Sequence, residues 1–373
     1  MIKLIKVLQC VSNMDRAGIE TMLMNYYRNI DRDKIQFYFL CNKRKSGAYD
    51  EEIMNLGGKI FYSPGLNPIY FFKYIKEVKK IIVDNAIDIV HVHNGAFGLQ
   101  ALIAAKIAGV KVRISHAHGT RIDVNLKMIL KLVYKSKLKK YANQYWGCGI
   151  DAIEYYFGKE IIKNNNYYLL TNAIDVDKFR YNEKIRNKIR NELNIKNDEI
   201  LIGHVGRFMT QKNHRFLINI FEKCLKNNNN YKLLLVGDGE LIDSIKLIVK
   251  NKNLEDNVIF VGNIPNTNEY YSAMDLFILP SLFEGLPVVG IEAQTNGLNC
   301  IFSDSISNEV AKTPNVDFIS LNANLEDWIQ LIELKAGKRH DISDEIENNN
   351  YSIKKEVKKL EDKYCSLIEG ENV

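Results

Sequence analysis

The chain holds six cysteines in 373 residues, Cys10, Cys41, Cys148, Cys224, Cys300 and Cys365, and no two form a Cys-x-x-Cys pair. That scatter excludes a thiol metal knuckle and points to reduced, packed thiols in a cytosolic protein. No apolar run approaches the ~20 residues that a membrane helix needs. The opening MIKLIKVLQCV is short and lysine-spaced, and reads as a first buried strand, not a signal peptide. There is no Gly-x4-Gly-Lys phosphate loop, no Gly-x-Ser-x-Gly elbow, no His-Glu-x-x-His and no nucleic-acid signature. Acid is absent from Val124 to Ile150, while Lys127, Lys131, Lys135, Lys137, Lys139 and Lys140 crowd together. Leu126, Ile129, Leu130, Val133 and Leu138 fall among them at helical spacing, so residues 126–140 read as an amphipathic basic helix. Two readings stay open for it: lysines solvated on a surface, or peripheral contact with an anionic membrane face.

What is present is ordinary for a globular protein: 46% hydrophobic and 26% charged residues, with a net charge of +6. The length favours two domains over one. Strand-like and helix-like segments alternate from end to end, as in IKLIKVLQCV then AGIETMLMNYYRNI, or YKLLLVG then the stretch after Glu240. Such alternation predicts α/β architecture with parallel sheets and helices on both faces. The rhythm pauses near NNNYYLLTNAIDVDKF, followed by a loose charged helical stretch over Glu183–Leu193. We therefore expect a first domain over 1–168, a second over 169–350, and a terminal amphipathic helix over 351–373 that crosses back to the first.

In parallel sheets, ligands bind beyond the carboxyl ends of the strands. After ILIGHVG stand Arg207 and, five residues on, Lys212. A planar guanidinium fork and a compact ammonium suit a diphosphate. Gly237-Asp238-Gly239 is a weak dinucleotide fingerprint because no third glycine follows, and a turn that lets backbone approach a ligand is equally consistent. Backbone near Asn263 and Ile264 could meet a nucleobase edge. PSLFEGLPVVGIEAQTNG is more specific. Pro287 suits a first helical turn, with Glu284, Gly285 and Leu286 at the helix entrance, where free N–H groups can meet an anion or hydroxyl. Glu292 follows two turns later, roughly 12 Å along a helix. Two carboxylates so placed suit the hydroxyl pairs of one extended ligand. Two His-x-His pairs, His91 with His93 and His116 with His118, end first-domain strands. With no acidic cluster beside them, substrate contact by one and packing of the others is favoured over a metal site. The Asp-x-Asp pairs at Asp31 and Asp175 follow no clear buried strand.

The order Gly-Arg-x4-Lys, Gly-Asp-Gly, Glu-x7-Glu resembles the large retaining GT-B glycosyltransferase family called group 1. NMDRAGIETMLMNYYRNID, VRISHAHGT and LPSLFEGLPVVGIEAQTNG are similar to its branch that builds bacterial capsular and exopolysaccharides. The resemblance implies two facing Rossmann-like domains with a cleft between them, and a nucleotide-sugar donor, a UDP-sugar by family frequency, held mainly on the second. It implies that Arg207 and Lys212 hold the diphosphate, Glu284 with Gly285 and Leu286 meets the transferred sugar, and Glu292 binds ribose. Ile264 would lie at the base, Gly18 on a loop facing the donor phosphates, and His118 near the reacting sugar. It also implies hexosyl or N-acetylhexosaminyl transfer to a lipid-linked saccharide, with retention and no metal, at the inner face of the cell membrane. Departures are Arg16-Ala17-Gly18 for paired glycines, Ala173 for a glycine and Asn299 for a proline. Two rivals remain: a nucleotide-sugar epimerase of the same architecture, and a non-catalytic sugar-nucleotide sensor.

Overall fold

Seven segments of the N-terminal half form a parallel sheet whose central strands are mostly apolar and buried on both faces, while its edge strands are short and partly exposed. They form β1 (Ile5–Val11), β2 (Ile35–Cys41), β3 (Lys59–Tyr62), β4 (Ile89–Val92), β5 (Val112–Ala117), β6 (Gln144–Gly147) and β7 (Tyr168–Leu169). Their order in the sheet is β3-β2-β1-β4-β5-β6-β7, every pairing parallel. The second half forms β8 (Ile200–Val205), β9 (Tyr231–Val236), β10 (Val258–Gly262), β11 (Leu276–Leu279), β12 (Cys300–Ser303) and β13 (Val316–Ile319). Their order is β10-β9-β8-β11-β12-β13, again all parallel. This computed structural model describes residues 3–119, 128–340 and 342–370.

Each sheet reverses its winding once, between β1 and β4 in the first and between β8 and β11 in the second. A crevice opens beyond the strand ends at such a switch point. Arg207 follows β8 and Glu284 follows β11, so the topology alone brings those two loops side by side.

The two compact units are Met1–Ala173 with Ile353–Val373, and Ile174–Ser352. The chain thus passes from one to the other after Ala173, not at residue 168, and the helix Ile353–Glu369 belongs to the first unit. Its buried positions Ile353, Val357, Leu360 and Tyr364 follow helical spacing. Tyr364 stacks on Trp146 at 5.6 Å between ring centroids and meets the edge of Phe37.

Two expectations need correction. The helix Met128–Tyr141 buries Tyr134 and Leu138, while Ile129, Leu132 and Val133 are 74%, 46% and 44% exposed. Its apolar residues divide between a packed face and an open one, not a single stripe; Leu126 lies outside the described residues. The charged helix Glu183–Glu192 is not loose. Arg186 and Arg190 reach Asp275, immediately before β11, at 2.5 and 2.9 Å. Asp275 also accepts from the Leu201 N–H at 2.8 Å, and Arg190 donates to the carbonyls of Lys196 and Glu199 at 2.6 Å each.

Removing one partner of a buried ion pair strands the other charge. Asp275→Ala is expected to lower the unfolding free energy by about 3–5 kcal/mol, read from urea denaturation. A loss below ~1 kcal/mol would show that the backbone carbonyls alone satisfy the arginines.

Candidate active site

The loop after β8 is shaped by glycines. A Cβ on Gly237, whose φ is 140°, would lie 2.1 Å from the Gly206 carbonyl oxygen, and one on Gly239 would lie 2.5 Å from that of Phe208. Phe208 N–H donates to the Asp238 carbonyl at 3.0 Å, and Leu241 N–H donates to that of Phe208 at 3.0 Å. The Gly-Asp-Gly turn therefore serves the close approach of two strand-end loops, which only glycine allows. Arg207 leaves this joint exposed.

Residues Thr210–Lys212 form a single tight turn, and Asn213 takes the left-handed conformation before the helix His214–Asn227. Leu282 N–H donates to the Gln211 carbonyl at 2.8 Å, and the Gln211 amide donates to the Phe283 carbonyl at 2.9 Å. These bonds stitch the loop after β8 to the loop after β11. As a result Lys212 Nζ meets Glu284 Oε1 at 2.6 Å, with only 13% and 12% of the two side chains exposed. Ser281 Oγ donates to the same carboxylate oxygen at 3.1 Å. The lysine stem crosses Gly206, where a side chain would press on its Cδ and Cε.

Glu292 lies in the helix Val288–Thr295, 8% exposed, and accepts from the Tyr271 hydroxyl at 2.8 Å. Burial pushes its pKa up to about 7, against the Tyr271 hydrogen bond and the charges of Lys178 and Lys212, which favour ionisation. Lys212 thus touches one acid and acts electrostatically on the other. Pro287 stands just before the helix, not in its first turn, because Val288 is the first helical residue. Gly285 and Leu286 form the bend between Glu284 and Pro287, and the Leu286 side chain packs into the core. Ile264, beyond β10, packs partly on that core, and its carbonyl accepts from the Thr267 hydroxyl at 3.3 Å.

Sequence reasoning missed the floor beneath Lys212. His204 is buried and donates from Nδ1 to the Ile278 carbonyl at 2.8 Å; His214 stacks on Phe208 at 4.1 Å. Burial lowers their pKa values to about 4 and about 2, with the Lys212 charge acting in the same direction. They flank the Gly-Arg-x4-Lys stretch in sequence, but nothing there shows that both turn inward beside the lysine. Tyr271 was missed for the same reason, since it lies far from Glu292 along the chain. The Asp-x-Asp pairs are accounted for locally. Asp175 caps the helix Val176–Phe179, Asp177 pairs with Arg180, and Asp31 pairs with Lys34.

In the first unit Gly18 opens the helix Gly18–Asn29, exposed and with free space where a Cβ would lie. Ala17 before it supplies no side-chain cap. His118 follows β5 and is half-buried, whereas His91, His93 and His116 are buried. The nitrogens of those three lie within 4.8 Å of one another, a spacing that could hold a metal ion. Hydrogen bonds already engage both nitrogens of His91 and His93 and one of His116. Neutral imidazoles alone also bring no charge to balance a cation. Burial drives all four histidines toward the neutral form, His118 to a pKa of about 3.

The chain matches two family models, Glycosyltransferase Family 4 over residues 16–148 and Glycosyl transferases group 1 over residues 185–343. It is 35% identical over 361 residues to the glycosyltransferase EpsF of Bacillus subtilis, covering 94% of each chain. It is 26% identical over 378 residues to the UDP-Gal:alpha-D-GlcNAc-diphosphoundecaprenol alpha-1,3-galactosyltransferase of Escherichia coli, covering 94% of each. The structure of Anabaena HepE in complex with UDP and glucose superposes with a TM-score of 0.80 at 15% identity, over 97% of this chain and 100% of that one. The chain belongs to the group 1 glycosyltransferases and has their GT-B fold, with one parallel sheet in each unit.

Proposed function

We propose that this glycosyltransferase moves a hexose or N-acetylhexosamine from a UDP-sugar to a hydroxyl of a growing lipid-linked polysaccharide, retaining anomeric configuration and using no metal. The observation that carries the reading is the Lys212–Glu284 pair at the switch point of the second sheet, on loops stitched together beside Arg207. The complex of HepE with UDP and glucose supports a uridine donor, and the UDP-Gal and diphosphoundecaprenol of the E. coli relative support the donor and acceptor classes.

The chemistry follows from charge. As the sugar–phosphate bond breaks, negative charge grows on the departing diphosphate. Cations fixed where that charge appears lower the barrier without reorganisation. Arg207 and Lys212 supply them. The donor phosphate would compete with Glu284 for Lys212, and the carboxylate so released would accept the hydroxyls of the transferred sugar. Glu292 would accept ribose hydroxyls. From the first unit, we assign Gly18 to the donor phosphates and His118 to the reacting sugar. The acceptor would attack from the face the diphosphate leaves, handing its proton to a departing phosphate oxygen; a sugar trapped covalently on a side chain would contradict this.

The open face of the helix Met128–Tyr141 supports peripheral contact with an anionic membrane at the cytoplasmic side. Exposed Ile129, Leu132 and Val133 stand among exposed Lys137, Lys139 and Lys140, and among the described residues no helix is long and apolar enough to cross a membrane. Phe71 packs near Tyr134 of this helix, and neighbouring Ile69 and Phe72 are 84% and 83% exposed.

Lys212→Ala should weaken UDP-sugar binding by about 1.5–3 kcal/mol and slow transfer. Glu284→Gln, which frees Lys212, should keep UDP binding at least as tight while kcat falls. Calorimetry with UDP and single-turnover transfer assays separate the two, and unchanged kinetics in Lys212→Ala would remove that residue from the mechanism.

Glu292 makes a prediction of opposite sign for stability and function. Its folded pKa of about 7 lies above the ordinary 4.5, so the native state holds a proton that the unfolded chain releases. The stability from that bound proton is present at low pH and lost as pH rises toward 7. Glu292→Gln should therefore be the more stable protein at pH 8, by about 1–3 kcal/mol, with the gap shrinking toward pH 5. Donor binding to the parent chain should tighten as pH rises through about 7, and in Glu292→Gln it should be weaker and flat. Melting curves and UDP titrations at both pH values check this; flat binding by the parent chain would contradict a ribose contact by the carboxylate.

For the membrane reading, replacing Lys137, Lys139 and Lys140 with Gln should abolish sedimentation with anionic vesicles. Lys135→Gln should matter less, because the Lys135 ammonium lies 3.6 Å from the Tyr155 ring centroid. Equal sedimentation of the triple variant would return these lysines to plain surface solvation.

A further inference from the structure

Four histidines stand in one row on a face of the first sheet, because residues two apart on a strand point the same way. Gln9 of β1 and Tyr364 of the terminal helix complete the row. With the Gln9 amide oriented as it stands, the direction of each hydrogen bond follows from the one before it.

The Gln9 amide Nε2 donates to the Tyr364 hydroxyl at 3.3 Å. Gln9 Oε1 can only accept, so His93 Nε2 donates to it at 2.8 Å. A neutral imidazole has one N–H. His93 Nδ1 is then a lone pair, and His118 Nε2 donates into it at 2.9 Å. On the other branch Tyr364, which accepts from Gln9, has its own proton free for His91 Nδ1 at 2.8 Å. His91 Nε2 donates in turn to His116 Nδ1 at 3.1 Å. The Gln9 amide sets the polarity of the whole chain. Rotating it by half a turn would exchange donor for acceptor at every bond. The row is clamped from the side by Trp146, which packs edge-on to His91 at 4.9 Å and stacks on Tyr364.

We propose that Gln9, His93 and Tyr364 are positioning residues that hold His118 as the neutral Nε2–H tautomer, leaving its Nδ1 as an acceptor for a sugar hydroxyl. The proposal rests on the reading of His118 as the group that meets the reacting sugar. A tautomer held in advance costs nothing at the moment of reaction, whereas an imidazole free to exchange tautomers would present a donor part of the time. By this route the terminal helix, some 250 residues from His118 in sequence, takes part in the chemistry through Tyr364.

The test uses the full chain labelled with 15N-histidine, whose long-range 1H–15N spectra report each tautomer directly. In the parent protein His118 and His93 should each be a single Nε2–H tautomer. Tyr364→Phe keeps the ring stack but leaves the Gln9 amide without its acceptor, and Gln9→Leu removes the polarity-setting group. Both should give mixed tautomers at His118 and a kcat lower by on the order of tenfold, the scale seen when a partner orienting a histidine is lost. The affinity for UDP should stay within about twofold, since neither variant touches Gly18, Arg207, Lys212 or Glu292. An Nδ1–H signal for His118 in the parent protein would overturn the proposal. So would unchanged tautomers and kcat in both disruptive variants, or stoichiometric zinc uptake by the protein that His91→Ala abolishes. If the parent protein transfers no sugar at all, the reading of the function fails instead, while the spectra still decide the tautomer.

Discussion

Leu282 gives its backbone N–H to the carbonyl of Gln211, and that bond decides where the charges of the second unit lie. Parallel strands deliver their loops at one edge only, and the reversal of winding between β8 and β11 places two such loops next to each other. Proximity alone would leave Lys212 and Glu284 as two surface charges worth little to each other. Stitching the loops through Gln211 brings them to 2.6 Å in a largely enclosed place, where the attraction is stronger and each ion has also lost water.

The surroundings keep that balance. A second cation near Lys212 would spread the pair's charge, and His204 and His214 beneath it are kept neutral by burial and by the lysine itself. Glu292 is close enough to feel Lys212, and burial raises its pKa to about 7, so near neutral pH it carries less than a full negative charge. One ammonium therefore sits among two acids and two histidines with a single firm partner.

Much of this was legible in the sequence, for identifiable reasons. Strands such as IQFYFLC are apolar at every position but Gln36, and a sheet covered on both faces accounts for that. Glu284 and Glu292 could be singled out because both acids lie in one short string with a proline and glycines. Groups that meet across long sequence separations were not legible. Nothing near Glu292 announces Tyr271, and nothing in EKIRNKIRNE shows that Arg186 and Arg190 turn inward to an aspartate some 85 residues on. The glycines of Gly237-Asp238-Gly239 were visible, but their task was not. A motif tells that backbone must come close; only the fold tells to what. The helix Met128–Tyr141 misled for a related reason. Helical spacing identifies a stripe, but a helix packed on one side and open on another can carry two.

The two units reach comparable ends by different means. In the second, the groups proposed to meet the donor are charged, and neutral histidines lie beside them. In the first, the row from His116 to His118 contains no charge at all, and its order comes from donors and acceptors meeting in sequence. A buried network of this kind is worth more than its separate bonds when every member is satisfied, and is a liability when one is not. His116 Nε2 is the one fully buried nitrogen of the row that has no partner among the described residues. It ends the path of bonds that runs through His91, Tyr364, Gln9 and His93 to His118, although the His116 and His118 rings themselves stack at 4.0 Å between centroids. The same logic explains why the row is closed by tyrosine and glutamine and not by a carboxylate. An acid there would draw a proton onto an imidazole, and a charged ring sets donor against donor along the chain.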